Sequence, residues 1–276
     1  MTIYAAAKRE RISLFGAVGA LKKQISTHRW HISQMFARDF KGSYQMTRFG
    51  VVWNYILPMV PITVWVLLSG LRMFPTFDGV SSVAYVTMGV TLWFLFSGFV
   101  TVPIGTIESK IREGAKSELP MIGFVIAGFA QLLFDTLVRA AAASAVFVFF
   151  QGAPKWPFIA APVIILFAFL FFGGLGMILA IFNLAYRDIN KVVTMLLQYG
   201  MLLSAIVFSI DRIPILGEFS PFNPFFVFVD SIRTLAVFGE LRHPTSLAGF
   251  SIAGVIFFLF ACKLFYVSEQ RLKGFA

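Results

Sequence analysis

The sequence predicts an all-α, polytopic integral membrane protein, and three observations carry that prediction. Of 276 residues only 13% are charged, which is far below the share of roughly a quarter found in soluble domains. The AVILMFWYC set supplies 58% of the chain and mean hydropathy is +0.83. The apolar residues also fall into several runs of about 20, the length a helix needs to cross a bilayer. Disorder is excluded by the same composition. One cysteine, Cys262, excludes a disulfide framework within the chain, and three histidines (His28, His31, His243) offer no histidine-rich cluster, so no metal site is expected. The balance of 23 basic against 13 acidic residues gives a net charge of +10. In so apolar a chain that excess suits membrane surfaces and inward-facing loops, and no nucleic-acid partner is expected.

Two regions follow from this reading. Residues 1–48 hold nine basic residues and no apolar run long enough to span, so they form a cytoplasmic and interfacial region. From Leu21 onward, Ile25, Ile32, Phe36 and Phe40 recur at mostly helical spacing with Lys22, Lys23, Arg29, Arg38 and Lys41 off the stripe. That pattern predicts an amphipathic helix in the headgroup layer, or one packed on the protein's own loops. Residues 49–276 form the membrane domain, with six spans near Phe49–Leu71, Ser82–Ile104, Met121–Phe150, Phe158–Leu184, Val192–Ile210 and Ser246–Tyr266. The third and fourth exceed the bilayer's requirement, so a tilt, a kink or an extension into solvent is expected. Basic residues near the span ends number eleven on one side and five on the other, which puts both termini in the cytoplasm. The segment from Asp211 to Thr245 is unusually apolar for an external loop, and short helices dipping into the outer interface are expected there. If it spanned instead, the C-terminus would move outside.

Several groups stand out chemically. Asp135 and Arg139 lie four apart on one helix face within the third span. Each charge alone would cost about 2.5 to 3.5 kcal/mol at the bilayer centre, so a pair is expected, serving either a pathway or helix packing. The stretch from Thr106 to Pro120 crowds Glu108, Lys110, Arg112, Glu113, Lys116 and Glu118 between two spans. It predicts a short charged helix on the cytoplasmic surface, with Ile107 and Ile111 able to plug a partner's groove, or simply a solvated connection. The turn from Tyr186 to Lys191, with Arg187 and Asp188, is a second polar island on the same side. The 34 Phe, 7 Tyr and 5 Trp are expected mostly at lipid and interfaces, a minority lining a conduit; Trp53, Trp93 and Phe96 are candidates. Gly173, Gly174 and Gly176 predict a close helix crossing. There is no G-x-x-x-x-G-K-[ST] loop, no G-x-S-x-G elbow, no H-E-x-x-H pair and no dinucleotide fingerprint, so no ATP hydrolysis through a P-loop is expected of this chain.

In order along the chain, Arg38, Asp39, Phe40 and Lys41 before Tyr44, then Gly50, Trp53, Asn54, Leu57 and Pro58, resemble the basic stretch, G-x-x-W and nearby proline of one family. Tyr186, Arg187, Asp188 and Ile189 resemble its aromatic-R-D turn. Pro221, Phe222, Asn223 and Pro224, with Arg233 after them, resemble its external N-P segment and arginine. The family is the membrane subunit of type-2 ABC exporters, in the branch that moves capsule and O-antigen polysaccharides across the bacterial inner membrane. The resemblance covers nearly the whole chain. It implies a non-enzymatic permease that binds no cofactor itself and forms a homodimer with a channel between the copies. It also implies two separate ATPase subunits that use ATP, a lipid-linked glycan and periplasmic export proteins as partners. The N-terminal stretch with Arg38, Asp39 and Lys41 would be a gate helix, and Glu108, Lys110, Ile111, Arg112 and Glu113 would couple to the ATPase. The rival readings are a drug or lipid permease of the same class, a membrane transferase, and a passive channel; a transferase would need an acid or base partner that His28, His31 and His243 do not visibly have.

Overall fold

A computed structural model describes residues 12–42, 52–71, 79–116, 119–207 and 214–274. Tyr44, Gly50, Arg72, Glu118, Asp211 and Arg212 lie outside the described residues, as do the side chains of Asn54 and Pro58. Helices account for nearly all the described chain, and no sheet is present among the described residues. Two short helices, α1 (Leu14–Thr27) and α2 (Arg29–Gly42), lead into α3 (Trp53–Gly70), α4 (Ser82–Lys116) and α5 (Met121–Gln151). A composite helix, α6 (Trp156–Ala185), follows, then α7 (Asp188–Leu203), α8 (Pro214–Phe219), α9 (Pro224–Val237) and α10 (Pro244–Gly274). Four of these, α4, α5, α6 and α10, are long and apolar enough to cross a membrane. The first expected span, α3, contains a shorter apolar run, Tyr55–Leu68.

The centre of the bundle is α4, which packs against α3, α5, α6, α7, α9 and α10. Its buried face carries Val86, Val90, Phe96, Ile104 and Ile107, all without solvent exposure. Pro103 does not stop the helix, although it cannot donate to the Phe99 carbonyl one turn back. That carbonyl lies against α6 instead, where a Cβ on Gly176 would meet the Phe99 and Val100 oxygens at 2.6 Å. A Cβ on Gly174 would likewise meet the backbone of Phe257 and Phe258, the nearest atom at 2.9 Å. The close crossing expected of the glycine cluster is therefore a double one, α6 against α4 and against α10.

The long fourth span is irregular. It opens as a 3-10 turn, Trp156–Ala160, and has a π-helical turn at Phe169–Gly173 in mid-course. A π turn swells the helix locally and re-aims its side chains. Here it presents Phe169, Phe171 and Phe172 to an aromatic core. Phe96 stacks on Phe172 at 5.6 Å, Phe99 meets Phe169 edge-on at 5.1 Å, and Phe172 packs on Phe225 at 4.2 Å. The composition led to an expectation of lipid-facing phenylalanines, yet Phe96, Phe172, Phe226, Phe228 and Phe265 are among the most deeply buried side chains. Ring-on-ring packing, stacked for Phe96 on Phe172 and edge-on for Phe228 against both, explains the difference for these three, since rings can fill a helical core in contacts that lipid tails do not match.

Other expectations change in detail. The interfacial helix read from Leu21 onward is two helices broken at His28, whose φ of −104° and ψ of 15° end α1. Leu21 and Ile32 from its apolar stripe, and Met35 outside it, are buried against the bundle, with α1 packed on α10 and α2 on α5. The fifth expected span, Val192–Ile210, ends earlier: α7 stops at Leu203, and its 16 residues rise about 24 Å. The segment expected to hold short helices does hold two, α8 and α9, and α9 is buried from Phe226 to Ala236. Asn223 starts α9 by accepting from the Phe226 amide at 3.3 Å, with Pro224 at the first helical position.

Candidate functional site

The charged stretch after the second span is not a separate surface helix. It is the last turns of α4, which runs unbroken for 35 residues to Lys116. The apolar residues Ile104, Ile107 and Ile111 continue the buried stripe of α4 at helical spacing, so tertiary packing carries the helix past the point where charges begin. A helical extension sorts those charges by face. Lys110 and Glu113, three apart, share one side; Glu108 and Arg112, four apart, share another.

On the first side α2 docks through four charges. Arg38 Nη1 donates to Glu113 Oε1 at 2.8 Å, and Lys110 Nζ lies 3.1 Å from Asp39 Oδ2 and 3.7 Å from Glu113 Oε2. Arg38 Nε also donates to Asp39 at 3.3 Å. Four alternating charges thus join the predicted gate residues to the predicted coupling residues, a contact that no local spacing encodes. The hydrogen bond to Glu113 is the main reason the Arg38 guanidinium holds its proton above the ordinary arginine range. Lys41 ends α2 in its last turn and is exposed.

On the second side Glu108 binds the turn between α6 and α7. Its Oε2 accepts from Asn183 Nδ2 at 3.2 Å and from Asn190 Nδ2 at 2.8 Å, while the Asn190 amide donates to Asn183 Oδ1 at 2.9 Å. Asn183 is buried and was missed in the sequence; its only signal is an amide standing inside an apolar run. Asp188 sits in the first turn of α7 and pairs with Lys191 at 3.6 Å. Arg112 and Arg187 line a cavity of about 460 Å³ together with Glu108, Ser109, Ile111, Asn183 and Leu184.

A third tie was also missed. Glu269 of α10 is buried, and its Oε1 accepts from the Met121 amide at 3.1 Å while its Oε2 accepts from Gln24 Nε2 at 3.1 Å. Pro120 precedes α5 and has no side chain that can cap it, so Glu269 caps that helix from elsewhere in the chain. Its signal was being the only carboxylate in α10.

The remaining candidates lie apart. Asp135 accepts from Gln131 at 2.9 Å and Arg139 stands over the Phe94 ring at 4.8 Å, while the two remain within electrostatic reach of each other. Trp53 opens α3 and is half-buried. Trp93 and Phe96 are buried within the bundle, Trp93 against Phe225 at 4.6 Å, so in this structure their surface is spent on ring packing instead of facing an opening. Arg233, quoted as a family landmark, is buried at the opposite end of α4. It stacks on Tyr85 at 3.8 Å and donates to the carbonyls of Ile206 at 2.6 Å and Ala205 at 3.3 Å. Among the described residues no group of three or more His, Cys, Asp or Glu could hold a metal.

The structure is an all-helical bundle with four helices long and apolar enough to cross a membrane, and a charged helix end that collects the N-terminal helices and the α6–α7 turn. The ABC-2 type transporter family matches residues 31–237, and the chain belongs to that family. It is similar to the O-antigen export system permease protein RfbA of Myxococcus xanthus, 22% identical over 263 residues that cover 93% of this chain and 98% of that protein. The family implies an ABC ATPase as a partner and a multi-pass place in the inner membrane.

Proposed function

We propose that this chain is the membrane subunit of an ATP-driven exporter that passes a polysaccharide across the bacterial inner membrane, working as two copies with two separate ATPase subunits. The observation that carries the reading is the four-charge junction of Arg38 and Asp39 with Lys110 and Glu113. It lies on a helix that continues past the apolar layer, so a push on that end moves α2 and α4 together. The similarity to an O-antigen export permease along 93% of the chain supports the glycan as cargo. The excess of basic residues near one set of span ends supports both termini, and this junction, facing the cytoplasm.

Two further features support two copies and six crossings. Helix α7 has no buried residue, and Val192, Met195, Leu196, Tyr199 and Leu203 form an exposed apolar stripe at helical spacing. A second copy laid on that stripe would cover it and flank a passage between the two. With α3 and α7 added to the four long helices, the chain crosses six times.

Charge exchange tests the junction. Arg38→Glu is expected to lower transport-coupled ATPase activity by about two- to fivefold, the factor that up to about 1 kcal/mol of exposed ion pairing commands. The double variant Arg38→Glu with Glu113→Arg is expected to recover it. Failure of the exchange to recover activity removes the junction from coupling. Deleting the gene tests the cargo: glycan should vanish from the cell surface and accumulate inside. Unchanged surface glycan, with a new sensitivity to a drug or an altered lipid composition, assigns the other cargo class.

A further inference from the structure

The cavity on the second side of α4 takes Glu108, Ile111 and Arg112 from the stretch expected to couple to the ATPase and adds Arg187 from the α6–α7 turn, and its two arginines are distinct from the other charges around it. Asp188 pairs with Lys191, Glu113 pairs with Arg38 and Lys110, and Glu108 is held by the amides of Asn183 and Asn190. Among the described residues no carboxylate stands within ion-pairing distance of Arg112 or Arg187. Two guanidiniums facing one recess present forked donors that match the oxygens of a phosphate in geometry and charge. Glu108 also lines the recess, and the lining keeps a net charge of +1. Arg187 stands at the N-cap of the 16-residue α7, whose positive end adds to the field there.

Depth points to the ligand's source. From Ser82 to Glu108 the helix rises about 39 Å, close to the bilayer's full thickness of about 40–45 Å with its headgroup layers. No charged residue interrupts α4 before Glu108, or α6 and the turn after it between Lys155 and Arg187. Both arginines therefore sit where each helix leaves the apolar layer, level with headgroup phosphates. Ile111 and Leu184 are the apolar members of a mostly polar lining, and Phe182 and Tyr186, next in sequence to Asn183 and Arg187, are exposed, as aromatic side chains are at a membrane interface.

We infer that Arg112 and Arg187 form a binding site for a phosphate group, presented by an anionic lipid headgroup of the adjacent leaflet. The site takes the phosphate between the two forks while the acyl chains run along the exposed side of Phe182. It does not rest on the coupling role of Lys110 and Glu113, which lie on the other face of the helix.

The test uses the full chain in phosphatidylcholine nanodiscs doped with phosphatidylglycerol, with retained lipid counted by native mass spectrometry after release. The parent is expected to retain phosphatidylglycerol preferentially, and Arg112→Gln with Arg187→Gln to lose that preference by about tenfold. Lys191→Gln removes one equal charge outside the recess and is expected to keep it. Inorganic pyrophosphate titrated into phosphatidylcholine-only discs separates the sources. Arginine-dependent pyrophosphate binding without a lipid preference assigns the phosphate site to a soluble ligand and overturns the headgroup. Equal retention in parent and double variant, with no arginine-dependent pyrophosphate binding, overturns the site altogether. So does loss of ATPase co-purification in the double variant while lipid retention is unchanged, because the recess is then a protein contact. Both arginines are exposed, so the double variant is expected to elute as the parent does on gel filtration.

Discussion

The two ends of α4 solve the problem of holding charge in opposite ways. At the charged end Arg38, Asp39, Lys110 and Glu113 share ion pairs with side chains between 29% and 53% exposed, so water and salt compete for every one of them. At the other end Arg233 is only 3% exposed and satisfies two backbone carbonyls just beyond the end of α7 while lying on the Tyr85 ring. One end is a junction that can be made and broken at small cost. The other is a clamp, where removing one member leaves polar groups stranded in a dry interior. A helix fixed at one end and loosely tied at the other is suited to pivoting, and the strength of each tie can be measured.

The clamp carries the largest expected effect. Ala205 has a φ of 49°, a left-handed conformation that a non-glycine residue adopts only where its surroundings impose it. Arg233 and Tyr85 both donate to its carbonyl, Tyr85 at 3.4 Å. Arg233→Ala is expected to destabilise the folded protein by about 3 kcal/mol, read by thermal or denaturant unfolding in detergent. A loss below about 0.5 kcal/mol would mean the clamp is not there. Gly89 supplies the second half of this test. A Cβ at that position would fall 1.6 Å from Arg233 Nη2, so Gly89→Ala must displace the guanidinium and is expected to cost nearly as much. In the Arg233→Ala background the same change loses its main obstacle. There it is expected to be neutral or stabilising by about 0.5 kcal/mol, since alanine is the better helix former.

Glu269 stands between the two extremes, a buried carboxylate at the charged end that holds Met121 and Gln24 together. Glu269→Ala is expected to cost about 1–2 kcal/mol, with hydrogen exchange accelerating at the first turn of α5 before it does elsewhere. Uniform acceleration along the chain would show that Glu269 supports the bundle as a whole and not that cap.

What could be read from the sequence follows the same division. Apolar run length exposed the long helices, because a bilayer imposes its thickness directly on composition. The positions of Arg38, Asp39, Lys110, Glu113 and Arg187 as charged islands were also legible. Their partners were not, since Arg38 and Glu113 are separated by most of two helices and no local spacing encodes the contact. The continuation of α4 through Glu108 to Lys116 was missed because charge density suggested a separate short helix on the surface or a solvated connection, whereas Ile107 and Ile111 were already keeping the helical stripe. Asn183, Glu269 and Gly89 act through residues distant in sequence, and a lone amide, acid or glycine in an apolar run does not name its partner. The aromatic core was missed for a related reason: composition cannot distinguish a phenylalanine facing lipid from one stacked on another ring.

The smallest effect expected is at the junction, and it separates salt from pH as the controlling variable. Arg38 holds its proton above the ordinary arginine range, chiefly through its hydrogen bond to Glu113. For a cation whose pKa is raised on folding, the associated stability is complete below the unfolded value and lost only as pH rises beyond it. That window lies above any working pH, so Arg38 stays charged throughout the physiological range. Screening still weakens a pair this exposed. A double-mutant cycle of Arg38→Gln and Glu113→Gln is expected to give a coupling energy of about 0.2–1 kcal/mol at low salt, shrinking toward zero near 1 M salt. The corresponding cycle of Arg233 with Gly89 involves buried groups and is expected to keep its value across the same salt range. If the junction's coupling energy survived high salt, it would be a second clamp, and the asymmetry between the two ends of α4 would vanish.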